Sequence, residues 1–265
     1  DVARDGRVFI ADPGIGGVHT LLPTGAFTTP FGVTGGAPAQ LGQVGSIAVG
    51  PDPEAPGFPF GAERVYVVDT AAERVAIYGL DGTFRAAWEG IDAQGIAASM
   101  DGRVYVLDRD ASQVRALDAA TGAERFAFGE RGLEDGQLAN VTAVDVSPDG
   151  RVLAVGDKRG LRVQLWDLAT DAALSGDSPP PPATLRRVYD LREARFALGD
   201  VPCDGSRVNA LGADKVFIGQ GEGACIVDGR DVAQAIAASA NQKAICRATV
   251  ALPRIKAASQ AYYAL

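Results

Sequence analysis

The chain has 265 residues, 47% of them apolar, with 33 glycines, 15 prolines and a net charge of −8. That charge repels a nucleic-acid backbone, no run of about 18 apolar residues offers a membrane span, and no C-x-x-C or Cys/His spacing offers a zinc site. What remains is a turn-rich chain with ample apolar material for a core, in one large all-β domain or two small ones.

The chain opens Asp1-Val2-Ala3, without Met or a signal peptide, which implies a processed, trimmed or incompletely covered chain. A unit follows at once that recurs: Asp5-Gly6-Arg7-Val8-Phe9-Ile10-Ala11-Asp12. The same pattern stands at 101–108 and 149–157, and 63–69 keeps the strand without the turn glycine. A weaker copy occupies 214–219. Asp-Gly between β-rich runs marks a tight turn, because Gly accepts positive φ without a Cβ clash. The clearest copy lies within 95–129, where four short apolar runs (96–98, 104–107, 114–117 and 125–128) are separated by turns. A sheet that small cannot cover both of its faces alone and needs neighbours of its own kind. The closing aspartates Asp12, Asp69, Asp108 and Asp157 lie 57, 39 and 49 residues apart. Four strands per 40–50 residues are the signature of a β-propeller.

The residues 69–78, Asp-Thr-Ala-Ala-Glu-Arg-Val-Ala-Ile-Tyr, resemble the NHL repeat, and 146–151 with 163–167 resemble YVTN- and WD-type repeats. The similarity covers about residues 1–170. It implies an all-β propeller, a single domain over 1–265 with six four-stranded blades, five being the alternative. Blade two is expected over about 46–89 and blade three over 95–129. Blade four starts at Val141, blade five runs over about 208–238, and part of a sixth occupies 244–265. The ring closes through a missing N-terminal strand or through 257–265. Two insertions interrupt the repeat, near 51–62 and 175–195; the second holds four consecutive prolines, which favour an extended polyproline conformation.

In repeats of this kind the closing aspartate caps the turn that follows it by accepting backbone N–H bonds, with Arg74 pairing beside Asp69. Metal binding by these aspartates is the lesser expectation. Propeller enzymes place their sites where inner strands enter the central channel. Peptidyl-amidating lyases build a zinc site on several histidines there, whereas this chain has only His19. Gluconolactonase-like enzymes use Asn, Asp and Glu around calcium, and Asn140, Asn209 and Asn241 each stand near the start of an expected inner strand. No G-x-S-x-G elbow is present, and the glycines at 14, 16 and 17 join two strands rather than opening a helix. Cys203, Cys225 and Cys246 allow one disulfide and one buried thiol, or three core thiols; since extracytoplasmic propellers of this type are common, the disulfide is preferred.

The leading expectation is a non-catalytic scaffold without cofactor that binds protein, as an extrinsic periplasmic subunit of a membrane-associated complex. Its contacts would be Phe58 and Phe60 in the first insertion and Arg186, Arg187, Tyr189, Arg192 and Arg195 in the second. The runner-up is a calcium-dependent lactonase or hydrolase with Asn140, Asn209 and Asn241 at the channel mouth. A carbohydrate- or peptide-binding module is the third.

Overall fold

The computed structural model describes residues 1–189, apart from 109, 148 and 177, and the backbone of 190, 207–212, 215–220 and 223–228. The first sheet pairs β1 (Val8–Asp12) with β2 (Gly17–Leu21); Val2 bridges Val8 on one side, and Phe27 and Phe31 bridge Leu21 and Val18 on the other. The second holds β3 (Val44–Pro51), β4 (Glu63–Asp69), β5 (Arg74–Gly79) and β6 (Phe84–Glu89). The third holds β7 (Ile96–Ala98), β8 (Arg103–Asp108), β9 (Gln113–Asp118) and β10 (Glu124–Phe128). A loop with the two-residue parallel pair β11 (Glu130–Arg131) and β12 (Gln137–Leu138) leads to the fourth. That sheet holds β13 (Val141–Val146), β14 (Val152–Asp157), β15 (Arg162–Leu168) and, after helix α1 (Asp171–Leu174), β16 (Ala183–Asp190). Three strands form the last described sheet: β17 (Arg207–Gly212), β18 (Lys215–Gln220) and β19 (Gly223–Asp228).

Within each of the last four sheets the strands lie in chain order, and their first strands β3, β7, β13 and β17 touch in succession, with β1 against β3. Five sheets therefore fan about a common hub, which is a β-propeller. The second, third and fourth blades begin within two residues of their expected starts, and β17 begins one residue before Val208. The expected sixth blade, with it the choice between six and five, and Cys203 and Cys246 lie outside the described residues.

Two-sided packing explains why the strands read as unbroken apolar runs. Successive side chains of a strand point to opposite faces, and in an inner blade both faces meet a neighbour. In β4, Val65 and Val67 join Phe9, Val18 and Leu41 at the seam with the first blade. Tyr66 and Val68 join Ile96, Val104 and Val106 at the seam with the third. The next seam buries Tyr105, Leu107, Val141, Leu153 and Trp166.

The charged positions of the repeat finish these seams. The arginine of Asp-Gly-Arg-Val crosses to the next blade: Arg7 Nη1 donates to Leu80 O at 2.6 Å and Arg103 Nη1 to Ala169 O at 2.9 Å. Arg64, at the same repeat position, donates to Ala119 O. The closing aspartates work inside their own blade. Buried Asp69 accepts from Gly42 N, Gln43 N and Arg74 Nε, and buried Asp157 from Asn140 N, Gly160 N and Arg162 Nε. Asp12 and Asp108 cap the following turn through Gly14 N and Ala111 N, both at 2.8 Å. Turn capping is thus as expected for Asp12 and Asp108 and holds for Asp157 as well, whereas Asp69 takes the N–H groups of the loop in front of its blade.

Candidate docking face

Antiparallel strands place the first and third turns of every blade at one end of the disc, and the second turn and the link to the next blade at the other. Residues 51–62 join β3 to β4 and residues 169–182 join β15 to β16, so both interruptions of the repeat emerge on the same face.

Prolines 53, 56 and 59 keep residues 52–62 out of the ladder, yet the loop is fixed from within. Asp52 N donates to Ala62 O at 2.9 Å, Glu54 N to Asp52 Oδ1 at 3.1 Å, and Phe60 N to Gly57 O at 2.9 Å across a turn with a cis Phe58–Pro59 bond. It is also held from both sides. From the first blade, Arg4 Nη2 donates to Gly61 O at 2.7 Å and Arg4 Nε pairs with Glu63 at 3.0 Å. Toward the third blade, the Phe58 ring lies over Gly102, where an added Cβ would stand 3.1 Å from Phe58 Cζ. Phe58 therefore packs locally and is 41% exposed, while Phe60 is 78% exposed.

The second interruption is anchored by ion pairs. Thr170 caps α1 through Ala173 N, and Asp171 takes Arg125 Nη1 at 2.5 Å, whose Nη2 lies 2.6 Å from Asp118. Burial pushes the Asp118 carboxyl up, but the bonds from Arg125 and Thr121 outweigh it, so it titrates below the ordinary carboxylate range. Burial likewise raises the phenols of Tyr66 and Tyr105 beneath this face. Pro179, Pro180 and Pro181 are exposed, and Pro182 O accepts Ala169 N at 3.0 Å. Residues 183–190, expected within the insertion, instead form β16, the fourth strand of the blade. A register shift conceals the strand pattern there: Arg187 faces Leu165 and Leu185 faces Trp166, so Arg186 is an extra, bulged residue.

The expected contact residues therefore separate. Arg186 and Arg187 are exposed on β16, with Arg186 3.4 Å from Asp167 and Arg187 over the Tyr189 ring at 5.9 Å. Tyr189 is only 2% exposed and belongs to the packing. Arg192 and Arg195 lie outside the described residues. Of the expected calcium ligands, Asn140 precedes β13 with its N–H on Asp157, Asn209 lies within β17, and Asn241 is outside the described residues. Among the described residues no three His, Cys, Asp or Glu side chains assemble into a metal-holding group. His19 sits on β2, its Nε2 3.0 Å from Asp12.

The opposite face carries a shallow depression of about 400 Å³ beside Asp69 and Arg74. It adjoins a loop design that the sequence reading missed. Gly35-x4-Gln40-Leu41-x2-Val44 returns as Gly132-x4-Gln137-Leu138-x2-Val141. In both copies the Gln side chain accepts an N–H of its own loop (Ala37 at 2.9 Å, Glu134 at 3.1 Å) and the Leu is fully buried. Arg74 donates to Pro38 O and Gln40 O of the first copy, Arg162 to Leu133 O and Gln137 O of the second. The signal was the repeated Gly/Gln-Leu/Val spacing, legible once both loops are aligned.

No protein-family model matches the chain. No curated protein matches it in sequence. Solved structures do match. A catalytically inactive virginiamycin B lyase from Staphylococcus aureus with quinupristin aligns at TM-score 0.53 and 12% identity, over 88% of this chain and 66% of that one. A functionally unknown protein from Desulfotomaculum acetoxidans aligns at TM-score 0.56 and 13% identity, over 86% and 64%. Selenomethionine-substituted virginiamycin B lyase from S. aureus aligns at 0.54 and 11%, over 88% and 66%. The chain spans about two thirds of the length of these neighbours, and at such identity the likeness is one of fold, that of a propeller.

Proposed function

We propose that the chain is a non-catalytic propeller that binds another protein through the face carrying residues 51–62 and 169–182. The observation that supports it is Phe60, 78% exposed in a loop tied to two blades. An exposed aromatic side chain on a fixed backbone is the kind of group that anchors protein interfaces, since little backbone freedom is lost when it is buried. An extrinsic, periplasmic place beside a membrane assembly belongs to the same proposal. The test is copurification from native extracts with three chains: unaltered, Phe60→Ala, and Leu133→Ala, a residue 58% exposed in a loop of the opposite face. The partner stays with the unaltered chain and Leu133→Ala and is lost from Phe60→Ala. Equal retention by all three, or a chain that is partnerless in native extracts, overturns the proposal.

A further inference from the structure

The proline run 179–182 is a second, chemically distinct feature of the same face. Each proline fixes its own φ near −65°, and a residue before proline is turned away from the α region. Residues 178–181 all precede a proline, so the stretch has one backbone available, the left-handed polyproline II helix with three residues per turn. The loop that carries the run, 169–182, is fastened at both ends. On one side Asp171 is gripped by Arg125 and the Ala169 carbonyl by buried Arg103. On the other, Pro182 O takes Ala169 N and the chain passes directly into β16. Between these anchors Pro179, Pro180 and Pro181 are exposed, and just beyond stand Arg186, beside Asp167 at 3.4 Å, and Arg187, over the Tyr189 ring, both exposed to water. A strand edge could have been protected by one proline or one lysine; a run of four, three of them facing water, makes a preformed ligand.

We infer that residues 179–187 are the ligand of a polyproline-recognising domain, one with an aromatic-lined groove and an acidic rim that meets Arg186 and Arg187. The prolines lose almost no conformational freedom on docking, and the arginines give the otherwise acidic chain the charge that sets its direction in the groove. This rests on the reading that this face binds protein.

The test titrates the full chain into three ¹⁵N-labelled probes, an SH3, a WW and an EVH1 domain, and follows the indole signals of the groove tryptophans. At least one probe shows a saturable shift, weakened about tenfold or more by Pro179→Ala/Pro180→Ala/Pro181→Ala and by Arg186→Glu alone, which leaves the proline backbone intact. No shift with any probe overturns the inference, and so does a shift that survives both variants. Leu133→Ala, on the opposite face, leaves probe binding unchanged. Silent probes with a native partner still released by Phe60→Ala therefore remove this inference alone, whereas a proline-dependent shift with a partner indifferent to Phe60 removes the aromatic anchor.

Discussion

Arg103→Ala should be the most damaging single change to a charged residue in the described propeller. The side chain is 1% exposed, donates to Ala169 O of the next blade at 2.9 Å and to Asp101, and lies about 6 Å from the Tyr105 and Phe126 rings. A hydrogen bond from a charged group contributes about 1.5–3 kcal/mol, and the two buried methylenes that alanine lacks add about 1.6 kcal/mol. Relief of the ordered side chain returns up to about 2 kcal/mol. The net loss is about 2–3 kcal/mol, which lowers Tm by roughly 5–10 °C in a chain of this size. Arg7→Ala is the matched control: it removes the same repeat position and a 2.6 Å bond to Leu80 O, but its side chain is 26% exposed and its partner Asp5 47%. Water takes over there, and the loss is about 1 kcal/mol. Thermal and urea melts of the two variants decide the matter. If Arg103→Ala melts within about 2 °C of the parent, or no lower than Arg7→Ala, the arginines do not hold the blades together.

Two further outcomes follow from the same geometry. Gly25→Ala and Gly122→Ala both force an alanine to positive φ (+87° and +73°), but the first meets nothing within 4 Å and the second places its Cβ 2.5 Å from Trp88 Cγ. Gly25→Ala should cost about 1 kcal/mol and Gly122→Ala at least about 2 kcal/mol more in urea melts; equal costs would show that the Trp88 contact yields freely. Burial pushes the Asp69 carboxyl up, but the N–H groups of Gln43 and Gly42 and the Arg74 guanidinium outweigh it, so its folded value lies below the ordinary one. A depressed carboxylate stabilises the fold above its unfolded value, and that contribution is lost as pH falls through the folded value. Tm should therefore be level down to about pH 5 and fall below about pH 4, with a shallower acid limb in Asp69→Asn; an unchanged limb would clear Asp69 of the role.

The blades were legible because turn and strand chemistry coincide in three copies and the strand alone returns in two more. Asp-Gly marks the turn, a run such as Val104-Tyr105-Val106-Leu107 marks a strand buried on both faces, and the closing aspartate marks where it ends. Less was legible where a residue's partner is distant in sequence. Nothing near Arg103 names Ala169, which is 66 positions away. The limit of the second insertion was misjudged for a local reason: bulged Arg186 breaks the alternation of β16, so 183–190 reads as an arginine-rich arm although Leu185 and Tyr189 pack inward. Phe58 and Phe60 differ by two positions in the same loop, and only the approach of Gly102 separates the packed ring from the free one.

Repetition also separates structure from function within this chain. A residue type that returns in successive blades is answered by a seam: Arg7, Arg64 and Arg103 by the next blade, Asp69 and Asp157 by the loop before their own, Leu41 and Leu138 by the core. Selection for the ring alone explains these, since removing any one opens the same kind of joint. Residues 52–62 and 169–182 have no counterpart of their length in the other described blades, and each is held by hydrogen bonds within the loop. Fixing a loop costs roughly 1–2 kcal/mol of backbone entropy per residue. That the molecule bears this cost twice, on one face, with an aromatic ring and a proline run left in water, is the physical reason for testing that face first for protein binding.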